Sequence, residues 1–165
     1  MSDKVTGQNH PTILETKRFM DLLISGNYEE FRKNNKSGDF ELFKIMLSGT
    51  RKMKYTLNNI RYNSEKSIIN MTIKQPDLSR IGDKMAEKFE EEDINYDELT
   101  EEEKSRVIRR VLNKAIKEEL EGDNLEYFIK TIDLIYIKKG EDWIREEINE
   151  DEFLDIFMSK LDRIK

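Results

Sequence analysis

The spacing of apolar residues changes period four times along this chain, and that alternation limits the fold more than any single motif does. Apolar side chains that recur every three or four residues share one face of a helix, whereas strict alternation puts them on one face of a strand. The stripe Ile13, Leu14, Phe19, Met20, Leu22, Leu23 and Ile24 predicts a helix from Pro11 to about Ser25. Proline suits a first turn because its missing N–H would have no partner there, and Gly26 suits the stop. NYEEFRKN reads as a short second helix capped by Asn27. Phe40, Phe43 and Leu47 predict a third, beginning near Asp39 and stopping at Gly49.

Alternation then takes over. Met53, Tyr55 and Leu57 share one phase and Ile60 and Tyr62 the other, so Asn58-Asn59 suits a bulge that switches the face. Ile69, Met71 and Ile73 form the returning strand of a hairpin, with Pro76-Asp77 expected to end it and Asp77 to cap the next helix. Leu78, Ile81, Met85 and Phe89 restore the helical period. Thr100-Glu-Glu-Glu103 is a capping box ahead of a long helix that ends at Gly122. The period changes again at Leu125, Tyr127, Ile129 and then Ile132, Leu134, Tyr136. A turn at Gly140 to Asp142 leads to a last strand from Trp143 to Ile148, and Phe153, Phe157 and Leu161 place a closing helix over 150–163. Hairpins separated by helices predict the α+β class: a curved antiparallel sheet of two hairpins, N-terminal helices packed on one side, a helical pair between the hairpins, and a C-terminal helix. A chain of 165 residues suffices for one such domain, expected over 11–165 after a flexible tail at 1–10.

Composition narrows the chemistry. Without cysteine there is no disulfide, thiolate nucleophile or zinc–thiolate site. No run approaches the roughly eighteen apolar residues of a membrane-spanning helix, and residues 1 to 10 lack the apolar stretch of a secretory signal. The formal charge of −6 hides a polarity: 32–74 holds ten Lys and Arg against three acids, net +7, leaving −13 elsewhere. Those bases are spread through strands and an amphipathic helix, and an acidic chain repels a phosphate backbone, so nucleic acid is not an expected partner.

The opening PTILETKRFMDLLISGNYEEFRK resembles the first helix of nuclear transport factor 2-like domains, which begins with a proline and runs into a Gly-Asn or Gly-Asp turn. MTIKQPDLSRI resembles the passage from alternating strand through Pro-Asp to helix in related lipoprotein ectodomains of unknown function from low-GC Gram-positive bacteria. YIKKGEDWIREEI is similar to their last hairpin. The resemblance covers most of 11–149 and implies a cystatin-like α+β fold in an extracytoplasmic, membrane-anchored setting. If Met1 is the true start, the expected compartment is the cytoplasm. This chain departs from the pattern in lacking a lipid-carrying Cys before the domain and in its large acidic helical pair.

The acidic stretch EEEDINYDELTEEEK places Asp93, Asn95 and Asp97 at the first, third and fifth positions of a calcium loop. Glu98 stands where the turn needs glycine and Lys104 where a bidentate glutamate belongs, so a solvated turn is expected instead. His10 is the only histidine and falls in the expected tail, as a free surface residue; this removes His-based triads and HExxH zinc sites. No glycine-rich phosphate loop is present. Asp133 lies inside the apolar run TIDLIYI. Ketosteroid isomerase-like enzymes of similar fold hold an Asp and a Tyr in an apolar pocket, with Tyr55, Tyr127 or Tyr136 as the tyrosine here; plain strand alternation turns Asp133 to solvent. Tyr55, Tyr127, Asp133, Tyr136 and Trp143 are the candidate pocket-lining residues; no catalytic, metal or cofactor-binding residue is assigned, and no cofactor is expected. The expected function is a non-enzymatic domain, monomer or homodimer, that binds a protein or small apolar ligand at the cell surface. The alternatives are a small enzyme using a buried carboxylate and tyrosine, and a cytosolic toxin-neutralising protein.

Overall fold

The computed structural model describes residues 10–35, 38–148, 150–158 and 160–161; the expected tail at 1–9 lies outside them. In chain order the elements are α1 (Pro11–Ser25), a 3-10 turn (Glu29–Asn34), α2 (Phe40–Leu47), a second 3-10 turn (Ser48–Lys52), β1 (Lys54–Tyr62) and β2 (Lys66–Leu78). They continue with α3 (Ile81–Glu91), α4 (Glu101–Glu121), β3 (Tyr127–Lys139), β4 (Asp142–Arg145), α5 (Glu150–Phe157) and β5 (Lys160–Leu161). The four main strands form an antiparallel sheet in the order β1-β2-β3-β4. The class and arrangement are those the periodicity predicts.

Local chemistry accounts for most of the boundaries. Gly26 stops α1 in the left-handed conformation at φ 79°, where a Cβ would be strained. Asp39 caps α2 by accepting from the Leu42 N–H. The box at Thr100 is formed in both directions, Thr100 Oγ1 accepting from Glu103 N–H and Glu103 from Thr100 N–H. The β1–β2 register slips between Leu57 and Asn59, placing the bulge at Asn58.

Four expectations are corrected. Asn27 caps nothing in the first 3-10 turn, whose N-cap is Tyr28. Pro76 does not end β2, which runs on to Leu78 and pairs Pro76 with Tyr127. The reason is directional: the Asp77 N–H donates toward β3, at Glu126 O, so Pro76's missing N–H falls on the β1 side, where β1 begins only opposite Lys74. Asp77 therefore lies in the strand, and α3 starts behind Arg80 without a side-chain cap. β4 is four residues rather than six, although the Glu146 N–H still donates to Ile135 O beyond it. The closing helix ends at Phe157, and Lys160–Leu161 instead pair in parallel with Asp77–Leu78 of β2.

Two apolar clusters result. The larger lies between the sheet and α1, α2 and α5, with Phe19, Phe31, Phe153 and Phe157 almost wholly buried. Phe19 meets Phe31 edge-on at 5.0 Å between centroids, and Phe153 lies 5.0 Å from Phe157. The smaller joins α3 and α4 through Ile81, Met85, Val111, Leu112 and Ala115, with Ile45 and Met46 of α2 packed against it. Burying each phenylalanine contributes roughly 1.5–3 kcal/mol, so α5 is held by aromatic packing. Phe153→Ala is expected to cost about 3–5 kcal/mol and Thr100→Ala about 1 kcal/mol, each read as a lowered urea midpoint.

Candidate binding surface

The sheet is buried on one side only. On β1, on β2 from Lys66 to Gln75, and on β3, the buried residues are Ile60, Ser67, Ile69, Met71, Ile73, Gln75, Leu134 and Tyr136, and the register puts all of them on the face turned to the helices. Side chains fill that face. At its centre a polar contact crosses from sheet to helix: the Tyr136 hydroxyl lies 2.9 Å from Thr16 Oγ1, and Thr16 donates to Thr12 O at 2.7 Å, with Arg145 opposite Tyr136 on β4. Burial raises the Tyr136 pKa and lowers that of Arg145, whose guanidinium sits 4.0 Å from the Phe19 ring centroid. The two hydrogen bonds make a fixed strut between β3 and α1.

The opposite face is uncovered among the described residues. The register arranges it in five cross-strand rows: Lys54, Lys74 and Ile129; Thr56, Thr72 and Thr131; Asn59, Asn70 and Asp133; Arg61, Ile68 and Ile135; Lys66, Ile137 and Ile144. None of these side chains is buried; Ile129 is 69% and Ile144 48% exposed. A polar network fixes the middle rows. Asn58, in the bulge, donates to Asn70 Oδ1 at 2.9 Å and to Thr72 Oγ1 at 2.8 Å, and Asn70 donates to Asp133 Oδ1 at 2.9 Å. The bulge and the bases Lys54 and Arg61 also keep the free edge of β1 from pairing with another strand. Where this face meets the first 3-10 turn, a groove of about 410 Å³ opens, lined by Lys33, Asn34, Ile137, Ile144, Arg145 and Ile148 among others. Asn34 donates to Ile148 O there, while its own Oδ1 is buried without a hydrogen-bond partner.

The five candidate pocket residues fall on both sides of the sheet. Tyr127 and Asp133 lie on the uncovered face; Tyr55, Tyr136 and Trp143 lie on the helix face, with Tyr55 and Tyr136 in rows at opposite ends of it. Asp133 is exposed and bonded to Asn70, so strand alternation decides its place. Tyr55 is half-buried, its pKa raised by burial first and by nearby Asp21 second. Sequence reasoning missed Ile135 and Ile137 of the uncovered face, although TIDLIYI holds the signal: apolar residues in both phases of one strand mean that both faces carry them. That strand is continuous, and its change of phase at Ile132 marks a change of face rather than a break.

His10 departs from its expected role as a free residue. It is the N-cap of α1: Nδ1 accepts from Thr12 N–H at 3.3 Å and from the Thr12 hydroxyl at 2.8 Å, and that hydroxyl reaches Ser67 Oγ at 2.8 Å. Its ring packs 4.4 Å from Tyr62 and 5.0 Å from Trp143. Sequence reasoning missed this because histidine is a rare cap and its two aromatic neighbours come from distant strands. Among the described residues, no group of three His, Asp or Glu side chains is placed to hold a metal ion, and no helix is long and apolar enough to cross a membrane.

Compared with known proteins, the chain matches no family model, no curated protein and no solved structure. Function has therefore to be read from the chain's own surfaces.

Burial, with a smaller effect from the Lys138 charge, lowers the His10 pKa below its usual 6.5. Between 6.5 and the lower folded value the unfolded chain binds the proton and the native chain does not, so stability falls as pH drops through that window. His10 is the sole imidazole, so one NMR titration should show a midpoint below 6.5. The His10→Asn variant, which keeps a capping side chain, should lose this part of the acid sensitivity in urea unfolding at pH 7.5 and pH 5, while a midpoint at or above 6.5 would exclude the effect.

Proposed function

We propose that this chain is a non-enzymatic binding domain whose partner is a protein rather than a small apolar ligand. The observation that carries the reading is the contrast between the two sides of the sheet. Where a ligand would have to enter, between sheet and helices, Phe19, Phe31, Phe153 and Phe157 are at most 1% exposed and pack on one another. On the other side lies an open, ordered face with branched aliphatic side chains at the surface, the kind of patch that marks a protein contact.

An enzyme built on an acid and a tyrosine would need both groups on one wall of a water-excluding pocket. Asp133 and Tyr136 point to opposite sides of β3, and Tyr127, which shares a face with Asp133, stands three rows away. The extracytoplasmic setting implied by the resemblance to nuclear transport factor 2-like ectodomains is compatible with this reading and adds no residue to it.

Native mass spectrometry of the purified chain tests the choice of partner. The expected spectrum carries the mass of the polypeptide alone. A reproducible added mass that disappears on denaturation would mean an occupied interior pocket and would replace this reading with that of a carrier or an enzyme.

A further inference from the structure

The charge of the uncovered face indicates which kind of protein it would accept, an inference that rests on the binding reading above. Over its four strands this face carries Lys54, Arg61, Lys66, Lys74 and Lys139 against Asp133 and Asp142, the latter opposite Lys139 at the β4 edge. With the whole chain at −6, a face of five bases and two acids is at +3 and leaves −9 for the remainder. The molecule is thus electrically two-sided, and the basic side is the one left uncovered among the described residues.

Those bases are also uncommitted. All ten ion pairs among the described residues lie on helices, turns and loops, and none includes a side chain of this face. Lys54 stands directly opposite Lys74 across the β1–β2 ladder, an arrangement that costs stability unless a carboxylate lies between the two. The Tyr127 ring lies 5.0 Å from the Lys74 ammonium. Arg61 and Lys66 end the two rows that hold Ile68, Ile135, Ile137 and Ile144, so on the β1 and β2 side the apolar surface is bordered by positive charge, with Asp142 beyond it on β4. At about 4.8 Å between strands and 6.8 Å between successive rows, the five rows of three positions cover about 500 Å², a contact of the small size that transient complexes bury.

We propose that this face docks a separate acidic protein, one that presents apolar side chains between carboxylates. The carboxylates would meet Lys54 and Lys74 at one end and Arg61 and Lys66 at the other, and the apolar side chains would cover the isoleucines. A second copy docked face to face would set these bases against the same bases, which charge repulsion opposes. A nucleic acid would find one aromatic ring, Tyr127, in place of a stacking platform and would meet the Asp133 carboxylate at the centre.

The test is selection of a random phage-displayed peptide library against the full chain, followed by affinity measurements on Arg61→Glu, Lys74→Glu and, as a control on the exposed side of α4, Lys117→Glu. The proposal expects enriched peptides to combine Asp or Glu with Leu, Ile or Phe, to weaken about ten-fold for each charge reversed on the sheet, and to be unaffected by Lys117→Glu. Circular dichroism checks that the variants fold; Lys74→Glu gains an opposite charge in Lys54, so it should. Acidic peptides that bind Arg61→Glu and Lys74→Glu as well as the parent chain would overturn the surface and leave the binding reading standing. Enrichment of neutral or basic peptides, or none, would overturn the partner chemistry. So would self-association in sedimentation, or binding of a single-stranded oligonucleotide, abolished by the same reversals. Failure of the binding reading itself shows elsewhere, as a bound mass in the native spectrum.

Discussion

The aromatic packing of Phe153 and Phe157 against Phe19, Phe31 and Phe43 is the contact on which the rest of the structure depends. It lays the last helix across the first two and shuts the space between helices and sheet. Two buried amides pin the segment in place, Asn34 donating to Ile148 O ahead of the helix and Gln75 to Ile156 O within it. Because this side of the sheet is closed by side chains, the strands have only their other face to offer a partner.

Much of the architecture was legible because each element obeys a local rule. The 3.6-residue stripe of α1 with Pro11 and Gly26 at its ends, the box at Thr100 and Glu103, and the face switch at Asn58 are all short-range signals, and they are where those signals place them. What was not legible depended on neighbours distant in sequence. Pro76 is tolerated inside β2 only because β1 begins where it does. The helix expected over 150–163 ends early, and β2 supplies Asp77 and Leu78 as strand partners for Lys160–Leu161. His10 becomes a cap only when Tyr62 and Trp143 arrive to pack its ring.

The candidate site shows the same division. Alternation within TIDLIYI was enough to turn Asp133 outward, and it carried the plain reading of that residue against the catalytic one. A list of tyrosines cannot say which side of a sheet each faces relative to the helices, so Tyr127 and Tyr136 were grouped although β3 points them apart. The surface that matters emerges from pairing, since Lys54, Lys74 and Ile129 become one row only through the register of three strands.

The position of α5 in the chain also sets an order of events during synthesis. Phe19, Phe31 and Phe43 leave the ribosome early, while the rings that cover them belong to the last helix. Until Phe153 and Phe157 emerge, a nascent chain can complete its hairpins and helical pair but carries an open aromatic cleft, the sort of transient exposure that invites aggregation or chaperone capture. A core shared by α1 and α5 closes only when α5 is out.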